Sequence, residues 1–253
     1  MDASNELISI IMPSYNSGKW IKETIASVQA QTYKNWELII TDDASSDDTV
    51  DVVKGIMDKD SRIKLYVLPV NSGAAKARNN SLAYTNGRYI AYLDADDLWA
   101  ADKLEHQLEF MHDKGVAMCY TDYDIVNEFG EYRKTITVPK KVTYDSYLKK
   151  PLTCSHSVVF DTKLVARSLL VMPDVRRGQD AATWLQVLKT GITGYALSET
   201  LAKYRRHSSS LSSNKLKAIK RTWYLYREIE HLSLPYACEC FASYAFNAIK
   251  KYI

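Results

Sequence analysis

The chain has 253 residues, is 46% hydrophobic and carries 33 basic against 30 acidic side chains, a net charge of +3. This is enough apolar material for one large domain, and it excludes a disordered or low-complexity chain. The four cysteines are too few and scattered for a disulfide scaffold or a zinc site.

No apolar run reaches the about 18 residues of a membrane span, and the opening MDASNELISIIMP lacks the features of a signal peptide, so a cytoplasmic protein is expected. Leu7 to Met12 is a continuous apolar run stopped by Pro13, the pattern of a strand buried on both faces. Trp20 to Gln31 follows helical spacing, with Trp20, Ile21, Thr24, Ile25 and Val28 on one side. Trp36 to Thr41 is a second strand ending in Asp42-Asp43, Asp48 to Lys59 a second helix, and Ile63 to Leu68 a third strand. Gly73 to Thr85 is a third helix and Tyr89 to Leu93 a fourth strand. That alternation predicts an α/β fold, a Rossmann-like, mostly parallel sheet flanked by helices. Every strand-to-helix loop of such a sheet leaves by one edge, so Pro13 to Asn16, Asp42-Asp43 and Asp94 to Asp97 are expected to meet there.

Beyond Trp99 the alternation loosens. Asp102 to Lys114 reads as a helix, Val116 to Tyr120 as a strand, and Asp122 to Val138 as a hairpin turning near Phe129-Gly130. Tyr144 to Leu148 is expected as a short helix and Ser157 to Phe160 as a strand. Asp180 to Thr190 has Trp184, Leu185 and Leu188 at core spacing, with Gly191 ending the helix. Thr193 to Leu197 and Leu201 to Tyr204 read as two strands. Residues 215–253 are expected as two helices separated at Pro235, forming a C-terminal extension.

Charge is unevenly spread. From Lys203 onward ten Lys or Arg stand against three Glu, a balance of +7 that leaves −4 for the rest. Leu216, Ile219, Trp223 and Tyr226 form an apolar stripe among basic residues. Such a stripe suits a helix in a membrane interface or one packed on the body with a solvated basic edge.

The densest chemistry lies in GRYIAYLDADDLW, residues 87–99, where Asp94, Asp96 and Asp97 follow the fourth strand. Clustered carboxylates suit a divalent cation, which takes oxygen ligands, although an acid there also caps a helix well. No GxGxxG and no GxxxxGK[ST] occurs, which argues against a dinucleotide site or a P-loop. A haloacid-dehalogenase-type phosphotransferase carries its DxD after the first strand, not the fourth. A non-catalytic metal- or nucleotide-binding domain of the receiver kind has about half this length and no use for the region around Asp180.

The succession ISIIMPSYN, ELIITDDASSDDT, NSGAAKARNNSL and GRYIAYLDADD resembles the family 2 glycosyltransferases of the GT-A fold, and RRGQDAATWL and YRRHSSSLSSNK extend the likeness less tightly. The bacterial enzymes of O-antigen, capsule or teichuronic acid synthesis are similar in layout. The resemblance implies an inverting, metal-dependent hexosyltransferase using Mn2+ or Mg2+. Its donor would be a UDP-sugar carrying a hexose or N-acetylhexosamine, and its acceptor a saccharide on a polyprenyl diphosphate. It implies that Pro13 and Tyr15 wall the base, that Asp42 or Asp43 accepts from the uracil imide, that Asp94 faces the ribose, and that Asp96 and His207 hold the cation. Arg78 is implied as a partner of base or phosphate, and Asp180, the acid of a Gln179-Asp180 pair where the family usually has Glu-Asp, as the catalytic base. Arg205, Arg206 and Lys215 would reach the phosphates, with Ser208 to Ser213 giving their loop flexibility, and His156 and Trp184 would lie on the acceptor side. The implied layout is residues 1–100 for the nucleotide sugar, 101–214 for acceptor and base, and 215–253 as a basic tail. The tail would meet the inner face of the cytoplasmic membrane; no nucleic acid is expected.

Overall fold

A computed structural model describes residues 6–151, 155–175, 178–207 and 215–250. Its first half is the expected alternation: β1 (Ile8–Ser14), α1 (Gly18–Gln29), β2 (Trp36–Asp42), α2 (Thr49–Met57), β3 (Ile63–Val67), α3 (Ala74–Ala83) and β4 (Tyr89–Tyr92). These strands pair in parallel in the order β3-β2-β1-β4. Every residue of β2 and β4 is buried, as are all of β1 but Pro13, because helices cover both faces; hence their unbroken apolar runs. α1 buries Ile21, Thr24, Ile25 and Val28, the stripe its spacing predicts. Ser14 pairs with Asp42 and Ile11 with Tyr92, so the loops after β1, β2 and β4 leave by one edge. Gly87 lets β4 enter: a Cβ there would lie 2.6 Å from both the Leu7 carbonyl and the Ser9 nitrogen.

The second half adds β5 (Leu98–Trp99), α4 (Lys103–Lys114), β6 (Met118–Asn127), β7 (Tyr132–Ile136), β8 (Lys141–Val142), α5 (Tyr144–Lys149), β9 (Val159–Asp161), α6 (Gln179–Leu188) and β10 (Gly194–Arg206). α4 ends at Gly115 in the left-handed conformation, and a Thr143–Ser146 capping box starts α5. The sheet continues β4-β9-β6-β10-β5, with β7 beside β6 and β8 beside β10. β9 runs antiparallel between β4 and β6, while β6 and β10 are parallel. The two strands expected after Thr193 are one, β10; shifts in its register on β6 between Leu197 and Thr200 and again before Ala202 interrupt its alternation.

The C-terminal extension is α7 (Lys215–Tyr224), one π-helical turn (Leu225–Ile229) and α8 (Leu234–Lys250). Pro235 does not divide two helices; it lies in the first turn of α8, where its missing N–H costs little. Tyr226 is fully buried and donates to the Leu148 carbonyl, Trp223 meets Phe241 edge-on at 5.6 Å, and buried Glu230 accepts from Tyr144 at 2.6 Å and pairs with Lys189 at 3.1 Å. Trp223 and Tyr226, half of the stripe read from the sequence, therefore pack inward and are not available to a membrane. Ile219 stays exposed.

Candidate active site

The carboxyl edge of β1, β2 and β4 brings the expected loops together. After β1, Asn16 adopts a left-handed φ of 48° and its side chain accepts from the Ser46 amide at 2.8 Å, tying this loop to the one after β2. Ala44, at φ 60°, is strained in a region that costs a residue with a Cβ about 1–2 kcal/mol. Tyr15 stands 50% exposed at the rim beside half-buried Pro13. Asp42 is buried and accepts from the Ser14 and Ser45 hydroxyls at 3.0 and 2.6 Å and from the Ser45 amide at 2.8 Å. Asp43 accepts from the amides of Ser72 and Gly73 at 2.6 and 2.7 Å, which closes its loop onto the start of α3. A carboxylate has about four acceptor positions, so Asp43 keeps more spare capacity than Asp42.

Arg78, on α3, is not at the surface. It is buried and donates through Nη2 to Asp94 at 2.5 Å, so it fixes the orientation of that carboxylate. Burial would loosen its proton, but the nearby charges of Asp94 and Asp180 outweigh burial and raise its pKa. Among the described residues its Nε and Nη1, the Tyr92 hydroxyl and the Gln179 Oε1 are buried without hydrogen-bond partners.

The three aspartates after β4 separate into different roles. Asp97 does not cap a helix, since α4 begins at Lys103 with Asp102 at its cap position. It is wholly buried, accepts from the Arg205 amide at 2.9 Å and lies 3.1 Å from Nδ1 of His156. Asp96 remains partly exposed and lies 2.8 Å from Nε2 of His207, whose ring stacks on Trp20 at 4.3 Å. Burial, together with the charges of Asp97 and Asp94, pushes the Asp96 carboxyl up to about 7, against the pull of His207.

Other expected contacts are overturned. Arg205 does not reach toward phosphates: it is buried, and its guanidinium donates to the Asp96 carbonyl at 2.8 Å, the Glu128 carbonyl at 3.0 Å and Glu23 at 2.6 Å. Arg206, the next residue, is exposed with its guanidinium 5.9 Å from the Tyr204 ring. His156 is core, stacked on Tyr204 at 5.6 Å and edge-on to Tyr123, and Trp184 is core against Tyr92 and Phe160, each at 5.0 Å. Neither lines an acceptor cleft. The Lys215 side chain and Ser208 to Ser213 lie outside the described residues.

Asp180 sits in the first turn of α6, half-buried, and is not its cap, which is Gly178 at φ 80°. A Cβ at Gly178 would lie 3.1 Å from Arg221, so α7 passes directly over this turn. The sequence did not single out Trp20 and Glu23 as site residues. Their signal was position: both lie in the first turns of α1, which begins at the same sheet edge.

A divalent cation fits this arrangement. Asp96 and His207 converge, and the carboxylates crowded beneath them disfavour further negative charge unless a cation joins. Among the described residues no group of three or more His, Cys, Asp or Glu is arranged to hold a metal, so Asp96 and His207 would be its protein ligands and ligand oxygens and water would complete the shell.

A mostly parallel sheet flanked by helices, with its strand-to-helix loops meeting at one edge, is the GT-A architecture. Residues 1–349 of TarS from S. aureus, in complex with UDP-GlcNAc, superpose with a TM-score of 0.71 at 20% identity, covering 94% of this chain and 71% of that one. The mannosyltransferase PcManGT from Pyrobaculum calidifontis, in complex with GDP-Man and Mn2+, does so with a TM-score of 0.70 at 19% identity, covering 96% and 70%.

The chain belongs to glycosyl transferase family 2, which its residues 9–168 match. It is 45% identical over 246 residues to a protein of Bacillus subtilis (strain 168) named as the teichuronic acid biosynthesis glycosyltransferase TuaG, covering 97% of each chain. It is 42% identical over 218 residues to the UDP-Glc:alpha-D-GlcNAc-diphosphoundecaprenol beta-1,3-glucosyltransferase WfgD of Escherichia coli, covering 86% of this chain and 84% of that one.

Proposed function

We propose that the protein is an inverting hexosyltransferase of bacterial surface polysaccharide synthesis. It moves a hexose or N-acetylhexosamine from a UDP-sugar to a saccharide carried on a polyprenyl diphosphate. The observation that carries this is the convergence of Asp96 and His207 beside the Arg78–Asp94 pair, with Asp180 within electrostatic reach of the same arginine. The names of WfgD and TuaG support the acceptor class and the pathway, and the UDP-GlcNAc complex of TarS supports the donor.

In the reaction the acceptor oxygen forms a bond to the anomeric carbon as the bond from that carbon to the diphosphate oxygen breaks. UDP leaves with the electron pair, and the acceptor proton passes to Asp180. Attack opposite the leaving group turns an α-linked donor into a β-linked product. Bound Mn2+ or Mg2+ supplies Lewis-acid stabilisation of the charge that gathers on the diphosphate. Tyr15 and Pro13 flank the base, Asp94 receives the ribose hydroxyls in the orientation Arg78 fixes, and Asp43 has acceptor capacity for the uracil imide. Arg206, exposed one residue before His207, is a cation suited to a phosphate. A lipid-linked acceptor implies work at the cytoplasmic face of the membrane.

The test is calorimetry of UDP binding with and without Mn2+. Binding should strengthen about tenfold or more with the cation, and Asp96→Asn should remove that gain while leaving cation-free binding. Failure of UDP to bind in either condition would falsify the proposal.

A further inference from the structure

α8 is apolar on both sides. Toward the body it buries Ala237 and Cys240 and packs Phe241 against Trp223. Away from the body Leu234 (55% exposed), Cys238, Ala242 and Phe246 (67% exposed) recur every four residues, the spacing that aligns side chains along one helix face. Glu239 and Lys250 are the only charged residues of this helix, and Glu239 is paired with Lys149 at 2.7 Å. A helix on a protein surface ordinarily turns charged residues outward, and an all-round apolar one ordinarily has its outer face covered.

The charge distribution points to what covers it. The strip belongs to the segment from Lys203 onward, whose sequence carries +7 against −4 for the remainder of the chain; Arg205 is spent inside the body, while Lys203 and Arg206 are exposed. Lys220 is exposed on α7, and the sequence has Lys250 and Lys251 after Phe246. We propose that the outer face of α8 is a docking surface for an anionic lipid bilayer. Phe246 and Leu234 enter the boundary between headgroups and acyl chains, and the neighbouring bases meet lipid phosphates. A second copy of the chain fits less well. It would bring two +7 segments together, and four side chains, two of them small, fall far short of the about 800 Å² per partner of a stable interface. Among the described residues no helix is long and apolar enough to span a membrane, so the contact is with the surface.

The docking face adjoins the chemistry. α8 packs on α7, and Arg221 of α7 lies against Gly178, two positions before Asp180. A bilayer under α8 therefore brings a lipid-borne acceptor toward the turn that holds the proposed base. This consequence rests on the acceptor class proposed above; the docking itself needs neither donor nor acceptor and is measured without them.

The experiment is sedimentation of the full-length chain with phosphatidylcholine vesicles, with and without phosphatidylglycerol. The wild type should bind the anionic vesicles, and Leu234→Ser combined with Phe246→Ser should weaken that binding by about tenfold or more. Thermal midpoint and UDP affinity should be unchanged, since both side chains are exposed. Lys220→Glu should weaken binding only to anionic vesicles, and Leu164→Ser, an exposed leucine outside the tail, should have no effect. The proposal is overturned if the wild type sediments with neither vesicle or if the double variant binds as tightly as wild type. It is equally overturned if light scattering shows a dimer that the double variant dissociates.

Discussion

Replacing Arg205 by methionine separates two roles for this residue, a phosphate contact or an internal brace. Methionine fills similar volume, so the cost is mainly in hydrogen bonds. Two partly buried carbonyls, of Asp96 and Glu128, lose their donor, at about 1–3 kcal/mol each. The ion pair to Glu23 adds only about 0–1 kcal/mol, because Glu23 is 58% exposed and water screens it. The sum is about 2–7 kcal/mol, and at about 2 °C per kcal/mol for a chain of this size the thermal midpoint should fall by roughly 4–14 °C. Scanning calorimetry or fluorimetry without ligand reads this directly. UDP affinity should fall as well, since Arg205 holds the carbonyl of Asp96 in the loop proposed to bind the cation, so the midpoint is what discriminates. A wild-type midpoint with lost UDP affinity would refute the brace and return Arg205 to the phosphates.

Asp180→Asn keeps the size of the side chain but cannot take a proton; transfer should drop by about 10²-fold or more with UDP affinity within twofold, and equal loss of both would remove Asp180 from the base role. Gly87→Ala forces a Cβ against two backbone atoms at 2.6 Å and should cost at least about 2 kcal/mol; a wild-type denaturation midpoint would show that β4 has room to shift. The Cys119 thiol, pushed up to about 11 chiefly by burial, and buried Cys240 should resist a thiol reagent at neutral pH, while exposed Cys238 reacts; rapid labelling of Cys119 in the folded protein would contradict its packing. Burial, with Asp161 adding to it, lifts the Tyr89 phenol from near 10 to about 12. The folded state therefore holds that proton more tightly. Its contribution to stability is complete below about pH 10 and disappears as pH rises through 12, a loss that urea titrations between pH 9 and 12 should detect.

The parallel half of the sheet was legible because strands covered on both faces must be apolar throughout, and because acids stand directly after β2 and β4. Roles within the site were less so, since a sequence does not display which charged side chain turns inward. Arg205 and Arg206 are neighbours on β10, and the alternation of a strand sends them to opposite faces. That period alone argues against both reaching one phosphate, although it does not say which is buried. The burial of His156 and Trp184 is hidden from the sequence for the same reason: each faces the core, where Asp97 and Tyr92 receive them. β10 read as two strands because its register shifts break the alternation that marks a strand, and two-residue β5 is too short to carry a pattern. On the tail, spacing identified a stripe but not its partner. The body takes Trp223 and Tyr226, and the outward face falls to α8.

The antiparallel strand β9 has a consequence for how the chain is made. The loops after β1, β2 and β4 are synthesised by Trp99, yet β4 gains its second neighbour only when Val159 to Asp161 arrive. Until then a nascent chain holds a sheet whose newest strand is an open edge, the kind that recruits other chains. The parallel half of the sheet is thus not a module that can be cut free near residue 100. Its solubility depends on residues synthesised well after its own strands, and a shortened gene product would fail by association.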